Sequence, residues 1–412
     1  MESNINRSRL FTASCFALLT TSFAFAIRAG IMGDLQTSFG IDEVGLGWIN
    51  FMGIFGFPIA TLIGGPLYNT IGPKNLGWIA FFSHIAGITF SIMSGSFWPL
   101  FFSTFFISFG NGIVEAAFNP MIADMYEDNK SEMLNKFHVW FPAGIAIGAV
   151  VAYFIGQAGG SWQMKIAFMY IPALIYGFLF FGQTFPEVGK NIDSNTSNNL
   201  KAMFTSPIYL VMIVCMALTA TTELGTQGWV EKLFAQSSGV NGLWVLALIT
   251  TIMALGRFFA GPLIHKLDIT GVLFGSAIIT TIAIVMMSQA SGSMVYVAAI
   301  LFAVGVCYFW PNMISFVAEY LPKTGALGMS VIGGVGMVGL SIFQPIIGGW
   351  LQTERTAALA SGLSDQEAEL VAGQATLDNI AILPAILIVA FGIVYFMRSK
   401  IKEANKIELA AE

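Results

Sequence analysis

Long apolar runs recur along this chain from residue 11 to residue 398, each ended by a short cluster of charged, Gly, Pro or Asn residues. A helix needs roughly 20 apolar residues to cross the hydrocarbon core of a bilayer. The pattern predicts twelve such spans, at 11–38, 44–68, 76–95, 98–123, 137–158, 165–184, 205–229, 241–264, 271–289, 293–320, 325–351 and 379–398. They are too long and too uniformly apolar for tilted barrel strands, and backbone groups in hydrocarbon need partners within the segment, so the spans are read as helices. Two polar stretches interrupt them. FPEVGKNIDSNTSNNLKAMFTSP (185–207), rich in Asn and Ser, reads as a flexible linker between spans six and seven. ERTAALASGLSDQEAELVAGQATLDN (354–379) reads as a short acidic helical excursion outside the membrane.

Composition agrees with the pattern and narrows it. Of 412 residues, 56% are hydrophobic and 10% charged, and the mean hydropathy is +0.76, against about 25% charged in soluble domains. The membrane part leaves no room for a soluble domain of ~100 residues. A net charge of −5 and the lack of a Lys/Arg block exclude a nucleic-acid partner. Lys and Arg are divided unequally between the loops. One side holds Arg7, Arg9, Lys74, Lys130, Lys136, Lys190, Lys201, Lys266, Lys323, Arg398, Lys400, Lys402 and Lys406, and the other Lys165, Lys232 and Arg355. That bias places both termini in the cytoplasm, in a bacterial inner membrane. The first span, with Ala24-x-Ala26, has some look of a cleaved signal peptide, but its removal would leave an odd number of spans. Cys15, Cys215 and Cys307 each sit inside an apolar run and read as small core residues, and the scattered His84, His138 and His265 suggest no metal cluster.

The two halves of the chain repeat each other weakly. GGPLYNTIGPK (64–74) follows span two and AGPLIHKLDITG (260–271) follows span eight, while FNPMIADMY (118–126) in span four is echoed by FWPNMISFVAEY (309–320) in span ten. Repeats of this kind mark transporters built from two six-helix halves around a central site. On these residues the chain resembles the major facilitator superfamily along essentially its whole length. The loop after span two is similar to the family's G-x-L-A-D-R-x-G-R-K signature at Gly65, Leu67, Gly72 and Lys74, and departs from it at Asn69, Thr70 and Pro73. MLNKFHVWFPAGIAIG (133–148) and YFWPNMISFVAEYLPKTGALGMSVIGGVGM (308–337) resemble the fucose, glucose and galactose proton symporters. An Arg in span one and G-x-x-E in span four, here Gly112 to Glu115, resemble sugar-acid anion symporters. The Gly-Pro pair of drug antiporters is missing, since Ala149 follows Gly148. The resemblance implies an all-α membrane protein with two pseudo-symmetric six-helix bundles around a central cavity, divided here as 1–184, a linker at 185–204, and 205–412.

Charges inside spans are the candidate chemistry, because one at mid-bilayer costs about 2.5 to 3.5 kcal/mol on insertion scales and persists where it has a partner or lines a wet cavity. Glu115 lies well inside span four, and Arg28 is the only charge from Leu10 to Gly33. They are expected to pair in the cavity, so that separating them favours proton uptake by Glu115; a buried structural ion pair is the plain alternative. Asn119 shares the face of Glu115 and suits a hydroxylated ligand, or else satisfies a carbonyl freed by Pro120. Glu223, Gln227 and Trp229 are placed near the outer mouth, the symporter branch having a Glu in a similar place, with interfacial anchoring as the alternative, above all for Trp229. Trp310 and Asn312, deep in span ten, are the sugar-stacking and hydroxyl-binding candidates, against a packing role for Trp310. Arg257 is assigned to the cytoplasmic end of span eight as a gate or structural charge near Glu319, alongside Gly65, Gly72 and Lys74 as gating residues. Asp34, Tyr68 and His138 are weaker candidates. VIGGVGMVG (331–339) reads as close helix packing, and the lack of a nucleotide-binding signature argues against ATP drive. No nucleophile constellation points to an enzyme. The expectation is a proton-coupled symporter importing a sugar or sugar-acid, working as a monomer without a cofactor. An organic-anion exchanger or facilitator, an efflux pump and a non-transporting membrane sensor are the rival readings.

Overall fold

The computed structural model describes residues 5–126, 133, 136–186, 196–233 and 241–410. Its helices follow the apolar pattern in order. They are α1 Arg7–Ala29, α2 Glu43–Tyr68, α3 Thr70–Ile92, α4 Phe97–Met125, α5 Lys136–Gln157, α6 Trp162–Phe180, α7 Pro207–Gly228, α8 Gly242–Phe258, α9 Lys266–Gln289, α10 Met294–Val317, α11 Leu327–Ala360 and α12 Asp365–Ile401. Eleven are long and apolar enough to cross a membrane, and α8 is shorter. Residues 260–267 continue it as helix down to a backbone break at Asp268.

The ends of the helices have local causes. α1 stops at Gly30, and the short helix Met32–Phe39 carries the chain on to Gly40, whose φ of +63° needs a residue without a Cβ. Asp42 caps α2 by accepting from the Gly45 N–H at 2.8 Å. α11 and α12 extend past their apolar parts as one helical hairpin, so the stretch 354–379 is the continuation of two spans rather than a separate excursion. Ser364 and Glu367 cap each other reciprocally, with Ser364 N–H donating to Glu367 Oε2 at 2.9 Å and Glu367 N–H to Ser364 Oγ at 3.4 Å. Residues 187–195 of the linker lie outside the described residues. Thr196–Thr205 is a helix rather than flexible chain, because Met203 finds a buried seat there.

The weak repeat becomes a geometric one. Counting from the shared Gly-Pro-Leu, Gly72 and Asp268 occupy the same place, and both break their helix with left-handed φ, +77° and +63°, and extended ψ, 167° and 158°. Beside each break a Tyr–Asp hydrogen bond ties the helix ends together. Tyr68 Oη donates to Asp124 Oδ2 at 3.0 Å in the first half, and Tyr320 Oη donates to Asp268 Oδ1 at 2.6 Å in the second. The signature loop therefore holds α2 to α4 through a neutral donor; Lys74 is exposed, and a Cβ at Gly65 would meet open space.

The first six helices meet the last six along α2 against α11 and α5 against α8. At the outer end α2 and α11 touch backbone to backbone: a Cβ on Gly47 would lie 2.7 Å from Pro345 Cα, and one on Gly348 would lie 2.4 Å from the Glu43 carbonyl oxygen. Around this seam Arg355 pairs with Glu43 at 3.8 Å, Gln36 donates to Glu43 at 3.2 Å, and Lys232 donates to Gln36. These contacts join the two halves where α2 begins.

Candidate functional site

Within α4, Gly112 decides where Glu115 sits. A side chain there would put its Cβ 2.4 Å from the Phe57 carbonyl oxygen, so glycine lets α4 lie directly on α2 and turns the next helical positions toward the middle of the molecule. Glu115 is partly open, with a side-chain exposure of 15%. Asn119 Nδ2 donates to Glu115 Oε2 at 2.6 Å, and His138 Nε2 lies 3.1 Å from Asn119 Oδ1 and 3.9 Å from Glu115 Oε2. With the amide donating to the carboxylate, its oxygen accepts from the imidazole, so Nε2 carries the proton. Asn119 thus bridges two titratable groups and does not serve the carbonyl freed by Pro120. His138, expected only as a weak candidate because its position at the start of span five suggested a loop, is a full member of this cluster.

Arg28 does not pair with Glu115. Its Nη1 donates to the Gly53 carbonyl at 2.7 Å and its guanidinium lies over the Phe25 ring at 5.1 Å. The reason is height. Arg28 lines one cavity with Leu100, Thr104 and Ile107 of α4, and Glu115 lies eight residues beyond Ile107 on that helix, roughly 12 Å further at ~1.5 Å per residue. Gly53 is available because α2 is disturbed just beyond it, where Phe57 N–H donates to Ser108 Oγ at 2.9 Å and Pro58 has no N–H.

In the second half the sequence reading needs correction. Arg257 is not at the cytoplasmic end beside Glu319, and Glu223 is not at the outer mouth; they meet. Arg257 Nη2 donates to Glu223 Oε1 at 3.1 Å and its Nε donates to the Cys307 carbonyl at 2.9 Å. Both side chains are buried, at 8% and 3% exposure. Arg257 stands eleven residues above the Asp268 break, roughly 16 Å, and Glu223 sixteen above Pro207, roughly 24 Å, a gap that the two side chains span. Glu223 lies in a single π turn, Thr221–Gly225. Gln227, one turn on, is buried and donates Nε2 to the Met253 sulfur at 3.3 Å, while its Oε1 has no partner.

Trp229 is no interfacial anchor. It is wholly buried and donates Nε1 to Gln344 Oε1 at 2.8 Å. Trp310 lies half-buried against Gly333 and Gly336 of the glycine run in α11, which supports the close-packing reading of that run. Asn312 is buried with its Nδ2 unpartnered. Asp34 pairs with Lys165 at 2.8 Å.

Comparisons with known proteins agree with this architecture. A family model described as Major Facilitator Superfamily matches residues 14–343. The sphingosine-1-phosphate transporter SPNS2 of Mus musculus is 27% identical over 155 residues, covering 37% of this chain and 28% of the relative, so the chain aligns with less than a third of that relative's length. The 3-(3-hydroxy-phenyl)propionate transporter of Escherichia coli (strain K12) is 23% identical over 395 residues, covering 91% of this chain and 94% of the relative. Among solved structures, a bacterial homolog to the human lysosomal transporter Spinster, inward-facing and unoccupied, superposes with a TM-score of 0.74 at 13% identity, covering 96% of this chain and 98% of that one. A D-xylose–proton symporter gives 0.71 at 14% identity, over 91% and 97%. The fucose:proton symporter FucP of E. coli gives 0.58 at 17% identity, over 92% and 98%. At these identities the structures share the fold.

Proposed function

Since the chain belongs to the major facilitator superfamily and is a membrane transporter rather than an enzyme, we propose that it is a proton-coupled symporter importing a sugar or sugar-acid by alternating access. The moving units are 1–184 and 205–412, joined by the linker 185–204, with both termini in the cytoplasm. The observation that carries this reading is the Glu115–Asn119–His138 cluster, a carboxylate and an imidazole 3.9 Å apart with partial solvent access and a bridging amide. A structural ion pair would be closed off; here the carboxylate and the imidazole are linked through the Asn119 amide and both keep partial solvent access. Arg28 clasps α1 to α2 above the site, in place of the direct tuning expected of it. Solved relatives named as proton symporters for xylose and fucose support the coupling ion and the hexose or pentose scale of the substrate.

The test is uptake of labelled hexoses and hexonates into proteoliposomes with and without an imposed pH gradient, for the parent and Glu115→Gln. Accumulation driven by the gradient in the parent and lost in the variant supports the reading. Uptake that ignores the gradient in the parent points to an exchanger or facilitator instead.

A further inference from the structure

Resting on that symport reading, the second-half pair narrows the substrate. We infer that Arg257 is the receptor for a substrate carboxylate, that Glu223 holds its place when no substrate is bound, and that the transported molecule is therefore a small monocarboxylate rather than a neutral sugar.

The pair is built to exchange. Arg and carboxylate are frequently joined by two parallel hydrogen bonds, whereas here one contact, Nη2 to Oε1 at 3.1 Å, joins the two. The guanidinium is fixed independently by Nε donating to the Cys307 carbonyl at 2.9 Å, so it stays oriented when its anion leaves. Glu223 stands on a π turn, a helix defect found often at functional sites. Thr221 and Thr222 donate their hydroxyls to the Ala217 and Leu218 carbonyls at 2.8 and 2.7 Å, which steadies the widened turn. Beside this pair Gln227 Oε1 is an acceptor with no partner, and a hydroxyl on the substrate would satisfy it.

Charge balance then sets the coupling. One buried guanidinium neutralises one carboxylate, and a second anion in the same dry space needs a compensating positive charge. The groups that face Glu223 are Arg257 from α8, Cys307 from α10 and, through Arg257, His138 from α5. α11 brings the apolar Leu340 and Ile347 to the same turn. None of these supplies a second fixed cation. An arriving carboxylate takes the place of Glu223 on Arg257, Glu223 takes one proton from the water that enters with the substrate when that side of the site is open, and that proton returns to water when the substrate leaves and the pair re-forms.

The experiment measures ligand-induced thermal stabilisation of the purified full-length protein. The probes are gluconate against gluconamide and 3-phenylpropionate against 3-phenylpropionamide, at acidic and mildly alkaline pH. For the parent, at least one carboxylate stabilises where its amide does not, and more so at acidic pH. Glu223→Gln removes the place-holder, so its half-saturating carboxylate concentration falls about tenfold and depends on pH less steeply than the parent's. Arg257→Gln abolishes the effect and Arg257→Lys retains part of it. The double variant Glu223→Gln/Arg257→Gln, which leaves no unpaired buried charge, guards against a folding defect and also fails to respond. A parent that stabilises equally with amides, or not at all, overturns the inference, as does a carboxylate response that survives Arg257→Gln or keeps the parent's full pH dependence in Glu223→Gln. Failure of the symport reading shows elsewhere, as parent uptake that ignores a pH gradient.

Discussion

Glu115 is maintained by its neighbours one by one. Gly112 brings its helix close to α2, Asn119 donates to it, and His138 stands 3.9 Å away. Each can be tested alone. Gly112→Val places a Cβ 2.4 Å from the Phe57 carbonyl oxygen, and overpacking of this kind costs about 1–3 kcal/mol. The variant is expected to melt several degrees lower and to lose transport, and an unchanged melting temperature would mean that α2 and α4 part easily. Asn119→Ala keeps both titratable groups but cuts the bridge. Gradient-driven accumulation should fall by about tenfold, as expected for loss of a charge-assisted hydrogen bond of roughly 1.5 kcal/mol, while downhill exchange persists. Accumulation at the parent level would show that the bridge is incidental.

Between residue and molecule stand the two helix breaks. Gly72 adopts φ +77° without penalty, whereas Asp268 adopts +63° with a side chain, in a region that costs about 1–3 kcal/mol for a residue other than glycine. What Asp268 gains is its acceptor role, since Tyr320 Oη donates to it at 2.6 Å and Thr270 through both N–H and hydroxyl at 3.1 and 3.0 Å. Asp268→Gly removes the strain and the acceptor together and should lie within about 1 kcal/mol of the parent, while Asp268→Ala keeps the strain and loses the acceptor and should fall below both. Melting temperatures in one detergent give the order. Ala equal to Gly would mean that the backbone there is relaxed. The repeat that announces these breaks is readable as Gly-Pro-Leu in two places; that the second break exchanges glycine for a hydrogen-bonded aspartate is not, because Tyr320 is 52 residues away along the chain.

Across the whole molecule, the two halves are joined where α2 begins by the α2–α11 seam and by charges at its rim. Glu43 and Arg355, at 8% and 33% side-chain exposure, form a bridge of the half-exposed kind worth about 0–1 kcal/mol. Arg355→Gln should therefore shift the balance toward an outward-open form by no more than about fivefold, read as faster labelling of a cysteine introduced on the seam. A shift of about a hundredfold would make the bridge, and not the backbone contact, the main closure.

Twelve helices, their order and the two-half plan followed from the sequence alone, because the hydrocarbon core imposes one rule on every crossing segment: about 20 apolar residues and an internally bonded backbone. The same rule picked out Glu115 and Arg28, since a charge in such a segment costs too much to be idle, whereas Glu223 and Arg257 were expected at opposite ends of their spans. Which charges meet was decided by the tertiary structure. Pairing depends on height and facing between helices far apart in sequence, where a helix end misjudged by a few residues moves a side chain by several ångströms. That margin separates Arg28 from Glu115 and brings Arg257 to Glu223.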